Sequence, residues 1–372
     1  MKKILYVSLA AAMMLAACNK ADDVKSEVVF QVAKYVPVTK ADPADYKDEY
    51  AAVPFGAFSW FKGQNPADNT TFMTNQKVSY NSTKNIWAPE GTTYYWPKTG
   101  SLDFICYSPY TADGSNAPLP TVTETGIKYP AWDVNANPVD LMYADKVTGL
   151  TNNTQTYYYN GVPTLFRHAF AKISFVIQAP YLEATGENGD KTRWEIIIND
   201  ITISNVLTTG SLELTLNPDG TWKKPDDNVW TSDGSKTDLN LDLSGLTGGQ
   251  LDGSAQPLDA DVFVLPQWLT GDQKVTINVT INTYRDNNDG TGEHLVLTET
   301  GVDITKDLSA GSMDRWGINQ NVTYTFNVTP SLGTPVDTDG DGIPDDQAPT
   351  TVYFDPAVTD WENVTINAGI NV

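Results

Sequence analysis

The chain carries many short runs in which β-branched or aromatic residues alternate with polar ones, and beyond its first residues no stretch repeats at the helical period. Runs such as E-I-I-I-N-D-I-T-I-S-N-V from Glu195, K-V-T-I-N-V-T-I-N-T-Y from Lys274 and N-V-T-Y-T-F-N-V from Asn321 are separated by Gly, Pro, Asn and Asp. Period-2 alternation buries one face of a strand, and turn residues at such spacing belong to an antiparallel all-β sandwich. Its 372 residues suffice for about two domains. The spacing predicts strands at Ala51–Phe61, Lys77–Tyr80 and Ser101–Tyr107, with Thr92–Tyr110 as strand, turn at P-K-T-G, strand. A single long strand is expected over Leu165–Gln178, opening a second sandwich that also takes in S-L-E-L-T-L from Ser211. The loop G-L-T-N-N-T-Q from Gly149 is where domains are expected to part.

Near the start, V-V-F-Q-V-A-K-Y-V-P-V-T-K-A from Val28 places Val28, Phe30, Val32, Val36 and Val38 on one parity, broken by Lys34. It ends at Lys40-Ala41 and runs into A-D-P-A-D, polar and proline-bearing, a segment open to proteolysis. A strand that packs well beside a cutting site reads as a removable part. Its loss leaves an unpaired edge and an open groove, a template for a strand from another molecule. That logic points to assembly rather than catalysis.

Ahead of it, Lys2 and Lys3 precede the apolar run I-L-Y-V-S-L-A-A-A-M-M-L, too short to span a bilayer and so a secretory signal. Leu15-Ala16-Ala17-Cys18 looks like a bacterial lipobox, with Cys18 lipidated as the first mature residue; the alternative is an ordinary signal with Cys18 incidental. Asp22-Asp23 is similar to a surface-export signal of lipoproteins, and equally fits a solvated linker. Cys106, within L-D-F-I-C-Y, is then left without a disulfide partner and reads as a small buried hydrophobe.

The formal charge is −22, from 46 acidic against 24 basic residues, with no basic stripe. Nucleic acid is therefore an unsuitable partner, because phosphate neutralisation needs clustered Lys and Arg. Neither His168 nor His294 lies in a zinc motif, and the chain holds no nucleophile elbow and no phosphate loop. His168 reads as a strand residue rather than a general base, since no nucleophile and orienter accompany it in the sequence. No cofactor is required. One loop fits calcium: Asp337, Asp339, Asp341 and Asp345 at positions 1, 3, 5 and 9, the Ile343 carbonyl at position 7 and Gly342 at position 6. Position 12 is Ala348 instead of an acid, and a solvated linker between Pro335 and Pro349 is the other reading. Ten tryptophans leave open a second class, a surface glycan-binding β-sandwich lipoprotein.

Taken in order, L-A-A-C, the strand ending V-T-K-A at Ala41, Y-Y-W-P-K-T-G-S-L-D-F-I-C-Y-S-P-Y, H-A-F-A-K-I-S-F, R-W-G-I-N-Q-N-V-T-Y-T-F-N-V and A-V-T-D-W-E resemble the fimbrillin family, subunits of type V pili including Mfa-like members. The resemblance implies two transthyretin-like antiparallel β-sandwich domains in tandem, surface transport as an outer-membrane lipoprotein, proteolytic removal of the first strand and polymerisation with other pilin subunits by strand exchange. The expected parts are a signal at 1–17, a propeptide at 18–40, an N-terminal sandwich at 41–160 and a C-terminal sandwich at 161–372. Members are commonly cut after an arginine where this chain has Lys40, so a surface protease acting at Lys40, or at Lys47, is expected. Val364, Ile366, Ala368, Ile370 and Val372 alternate to the last residue and are expected to be the donated strand.

Overall fold

The structure is a computed structural model, and its described residues are 28–34, 50–115, 117–151, 161–178, 182–185, 191–218, 220–223, 230–243, 246, 256–258, 262–287, 290–309, 313–330 and 350–358. Strands dominate them; a short 3-10 turn lies at Pro66–Asp68.

The first sheet comprises β1 (Phe30–Lys34), β2 (Phe55–Lys62), β3 (Thr70–Asn81), β4 (Ile86–Pro89), β5 (Ser101–Ser108), β8 (Met142–Ala144), β9 (Val147–Leu150) and β10 (Val162–His168). Its hydrogen-bonded path runs β2-β3-β4-β1-β10-β8-β5, and β5 pairs again with β2, so seven strands close into a ring with β9 attached to β5. Inward alternation fills the ring: Phe55 and Ala57 from β2, Leu102, Phe104 and Cys106 from β5, and Val162 and Phe166 from β10 make one buried cluster. Burial pushes the Cys106 thiol up, as expected of a small hydrophobe in a core.

The opposite face of β2 and β5 presents Phe58, Trp60, Ile105 and Tyr107. A second sheet covers it, in the order β15 (Trp230–Ser232), β14 (Thr209–Thr215), β7 (Gly126–Asp133), β6 (Thr121–Thr123). Thus S-L-E-L-T-L, expected in a second sandwich, pairs instead with β7, Leu212 opposite Tyr129 and Leu214 opposite Ile127.

The rest is a two-layer sandwich. One layer is β12 (Leu182–Thr185), β13 (Lys191–Leu207), β20 (Lys274–Asp286) and β21 (Glu293–Asp307), with β16 (Lys236–Asn240) on β13. The other is β17 (Gln256–Pro257), β11 (Ala171–Gln178), β23 (Asn321–Pro330) and β24 (Thr350–Val358), with β18 (Val262–Val264) on β11. Isoleucines of β13 and β20 meet Phe175, Tyr324 and Phe326 between the layers. A small ribbon pairs β19 (Gln267–Trp268) with β22 (Arg315–Trp316).

The expected single strand over Leu165–Gln178 is two strands in two sheets. Ala169 and Phe170 join β10 to β11, both fully buried. Phe170 stacks on Trp230 with ring centroids 5.2 Å apart, and Leu265 and Ile318 from the sandwich half enter the same cluster. The strand expected before P-K-T-G is also absent. Thr92–Trp96 lies outside the named strands, held by Trp96 against Phe104 at 6.1 Å, and Pro97 at its end lacks the N–H that a ladder needs.

Candidate functional site

The ring is closed by β1, the strand that precedes the expected cutting site. β1 lies between β4 and β10, parallel to β10 from Phe30 opposite Val162 to Lys34 opposite Phe166, and meets β4 at Phe30 opposite Trp87. Val28 donates its N–H to the Tyr94 carbonyl at 2.9 Å, and Val162 donates to the Val29 carbonyl at 2.7 Å.

Alternation carries Val28 and Phe30 inward, 1 % and 2 % exposed, as the shared parity predicted. The Phe30 ring sets its edge against Phe55 at 5.4 Å and Phe104 at 5.8 Å, and Phe55 continues the cluster to Phe166 at 5.4 Å. Burying Val28 and Phe30 contributes about 1.5–3 kcal/mol each. Without β1 the slot is walled by Trp87 on β4 and by Val162 and Phe166 on β10, with Phe55 and Phe104 as its floor.

The wall formed by β10 is suited to strand pairing. In a parallel ladder alternate residues bond to opposite neighbours. Val162 donates toward β1, while the Leu165 carbonyl accepts from Asp145 N–H on the β8 side at 3.0 Å. Pro163 has the parity of Leu165, so the one residue of β10 lacking an N–H does not interrupt the seam. Sequence reading named the removable strand but missed β10 as its partner, since nothing local marks a parallel pairing over 130 residues away in the chain.

Val32 is placed opposite Thr164. Cys18, Val36, Val38, Lys40, Ala41, Lys47, the 337–346 loop with Asp337, Asp339, Asp341, Ile343 and Asp345, and the tail from Val364 to Val372 lie outside the described residues. Among the described residues no group of three or more His, Cys, Asp or Glu is arranged to hold a metal ion.

His168 ends β10, buried, with Nδ1 2.8 Å from Asp140 Oδ1. The Tyr50 hydroxyl donates to Asp140 Oδ2 at 2.6 Å, and the His168 backbone N–H donates to Asn319 Oδ1 at 3.0 Å. These bonds tie the entry to β2, the end of β10 and the sandwich half together, a structural employment for this histidine. His294 sits on the surface with Nδ1 beside Asn287 Oδ1. The largest fully buried side chains are all aromatic, among them Trp132, Trp316 and Tyr129, so much of the aromatic content is core rather than a platform for sugars.

Several solved structures resemble the chain. A protein of Bacteroides uniformis described as a cell adhesion protein is 18% identical, covering 92% of this chain and 100% of its own, with a TM-score of 0.48. A counterpart of Bacteroides ovatus, described likewise, is 15% identical, with coverage of 91% and 99% and a TM-score of 0.41. The fimbrial anchor protein Mfa2 of Porphyromonas gingivalis is 10% identical, with coverage of 90% and 99% and a TM-score of 0.29. No curated protein matches. The model of the fimbrillin-like family matches residues 44–345, most of the chain and both its halves, and on that match the chain belongs to the fimbrillin-like family.

Proposed function

We propose that the chain is the precursor of a pilus subunit, a non-enzymatic building block of a surface fimbria for adhesion, in which β1 holds a slot for a strand from the next subunit. The observation that carries this reading is that β1 closes an otherwise continuous ring, bringing two inward side chains to a slot whose β10 wall offers unbroken backbone donors. In the proposed course, Cys18 is lipidated and anchors the precursor in the outer membrane, facing outward. A surface protease then cuts after Lys40, or after Lys47, and β1 leaves. The tail of a neighbour, with Val364, Ile366, Ala368, Ile370 and Val372 on one parity, enters parallel to β10 and fills the pockets of Val28 and Phe30. Each residue inserted recovers ladder bonds, and each alternate one buries a side chain. While β1 is in place the slot is occupied, so polymerisation waits for the cut.

Two experiments test this reading. The N-terminal sequence of protein recovered from the cell surface should begin at Ala41, or at Asp48 for cutting after Lys47. Lys40→Ala with Lys47→Ala should accumulate a folded, uncut, displayed monomer. Polymers of that double variant with their first strand still attached would overturn the mechanism.

A further inference from the structure

A cavity of about 430 Å³ opens on the surface and shares no lining residue with the slot of β1. Its wall comes from separate parts of the chain: Glu124 and Thr125 at the turn from β6 to β7, Lys146 between β8 and β9, and Leu216, Asn217 and Lys223 in the loop that leaves β14. The size lies within the about 300–1,000 Å³ of small-molecule sites.

The loop is held in shape. Leu216 donates its N–H to the Thr125 carbonyl at 2.9 Å, Asn217 to the Thr221 carbonyl at 2.7 Å and Lys223 to the Thr215 carbonyl at 3.0 Å. Trp222 ties the loop to the ring half, its Nε1 donating to the Ala144 carbonyl at 3.1 Å and its ring set edge-on to Tyr143 at 5.5 Å. Walls fixed before binding lose less freedom when a ligand enters.

Ion pairing leaves a positive charge over. Lys62 pairs with Glu124, and the nearly buried Lys146 lies 3.8 Å from Asp103 while donating to the Glu124 carbonyl at 2.9 Å. Lys223 is exposed and has no carboxylate partner among the described residues. In a chain of charge −22 such a surplus is a local reversal of sign, and it favours an anion. The remaining polar atoms include acceptors. Asn217 Nδ2 is engaged by Thr221 Oγ1 at 3.1 Å and the Trp222 carbonyl at 3.3 Å, which leaves Oδ1 to accept, and Glu124 adds a carboxylate. A phosphate dianion brings oxygens alone and is repelled by both. A sugar ring with one carboxylate brings an anion for Lys223 and hydroxyl donors for Asn217 and Glu124.

We propose that this cavity binds a sugar carrying one carboxylate, a hexuronic or sialic acid of a glycan, with Lys223 taking the carboxylate. The cavity is complete in the uncut chain, so binding stands whether or not the subunit polymerises; only its use in adhesion rests on the pilus reading.

The test is saturation-transfer NMR on the uncut chain with methyl glucuronoside, methyl sialoside and methyl glucoside. One of the two acids should bind, and the better one names the sugar. Methyl glucoside, with a neutral CH2OH in place of the carboxylate, should bind about tenfold more weakly, the scale of a lost charge-assisted hydrogen bond. Lys223→Gln should lose about the same factor with melting unchanged, because the side chain is exposed, and Lys223→Arg should keep most of the binding. Lys128→Gln, at a lysine paired with Glu213 outside the cavity, should bind like the parent. Inorganic phosphate at equal concentration should not displace the sugar. Failure of both acids to bind, equal binding of the glucoside, displacement by phosphate, or a Lys223→Gln chain that binds like the parent overturns the proposal.

Discussion

The two halves of the molecule protect their strand edges in different ways. In the ring half the strands bond around to their starting point, so the circuit presents no edge while β1 is present. Among the described residues the sandwich half ends in edge strands, and two of them carry guards within their own sequence. β21 carries two bulges, one at Val296 and one where Thr300 and Gly301 face the single residue Thr280, and Gly301 adopts φ +72. β24 carries Pro356 opposite Tyr324, an edge position where a missing donor is tolerated. The sandwich guard is built into its strands, whereas the ring's guard is a strand that leaves under the proposed function. Removing β1 therefore creates a new kind of edge in this molecule, a straight parallel-pairing wall on β10 with Pro163 turned away from it.

The largest effect expected from this contrast is all or none. Deleting Val364 to Val372 should leave a subunit that is cut and open but has nothing to donate, so it should cap growing polymers at low ratios to the parent. Electron microscopy of mixtures should show filaments shortening as the truncated chain is added. Undiminished long filaments from the truncated chain alone would mean that the tail is not the donor.

Next in size is Phe30→Ala. Truncating a buried phenylalanine costs about 3–5 kcal/mol, so the uncut precursor should melt markedly lower. After the cut Phe30 is gone with β1, and variant and parent should then be indistinguishable in melting and in polymer yield. A penalty that persists after cutting would show that β1 stays with the molecule.

The parity of Val28 and Phe30 was legible because one strand's alternation is a local property, and the buried ring confirms it for these two. The division of Leu165–Gln178 was legible too, though only in hindsight: inward residues are even-numbered through Phe166 and His168 and odd-numbered from Ala171 through Ile173, Phe175 and Ile177. That switch of parity, with no glycine or proline at it, marks where the chain passes from ring to sandwich. The partners of β1 and β14 were not legible. β1 finds β10, and β14 finds β7, across long stretches of intervening chain, and many β-branched strands satisfy the local pattern equally well. Which pairing wins is decided by the fit of whole faces, Leu212 and Leu214 under Tyr107 and Trp60 in this case. Thr92–Trp96 failed as a strand for the complementary reason: Tyr94 and Trp96 pack on the ring core and the Tyr94 carbonyl accepts from Val28 N–H, yet the segment belongs to no named strand.

The smallest effect concerns the sandwich guard and should be blind to the cut. A Cβ built at Gly301 meets nothing within 4 Å, so substitution there costs backbone strain alone. At φ +72 an L-residue with a plain side chain loses about 1–2 kcal/mol, whereas asparagine adopts that region more readily. Gly301→Ala should thus lower stability by about that amount and Gly301→Asn by clearly less, in urea unfolding of the uncut and the cut chain alike. Equal losses for Ala and Asn would remove the left-handed bulge as the explanation. A loss seen only before cutting would couple β21 to β1 and dissolve the distinction between a guard that is kept and one that is given up.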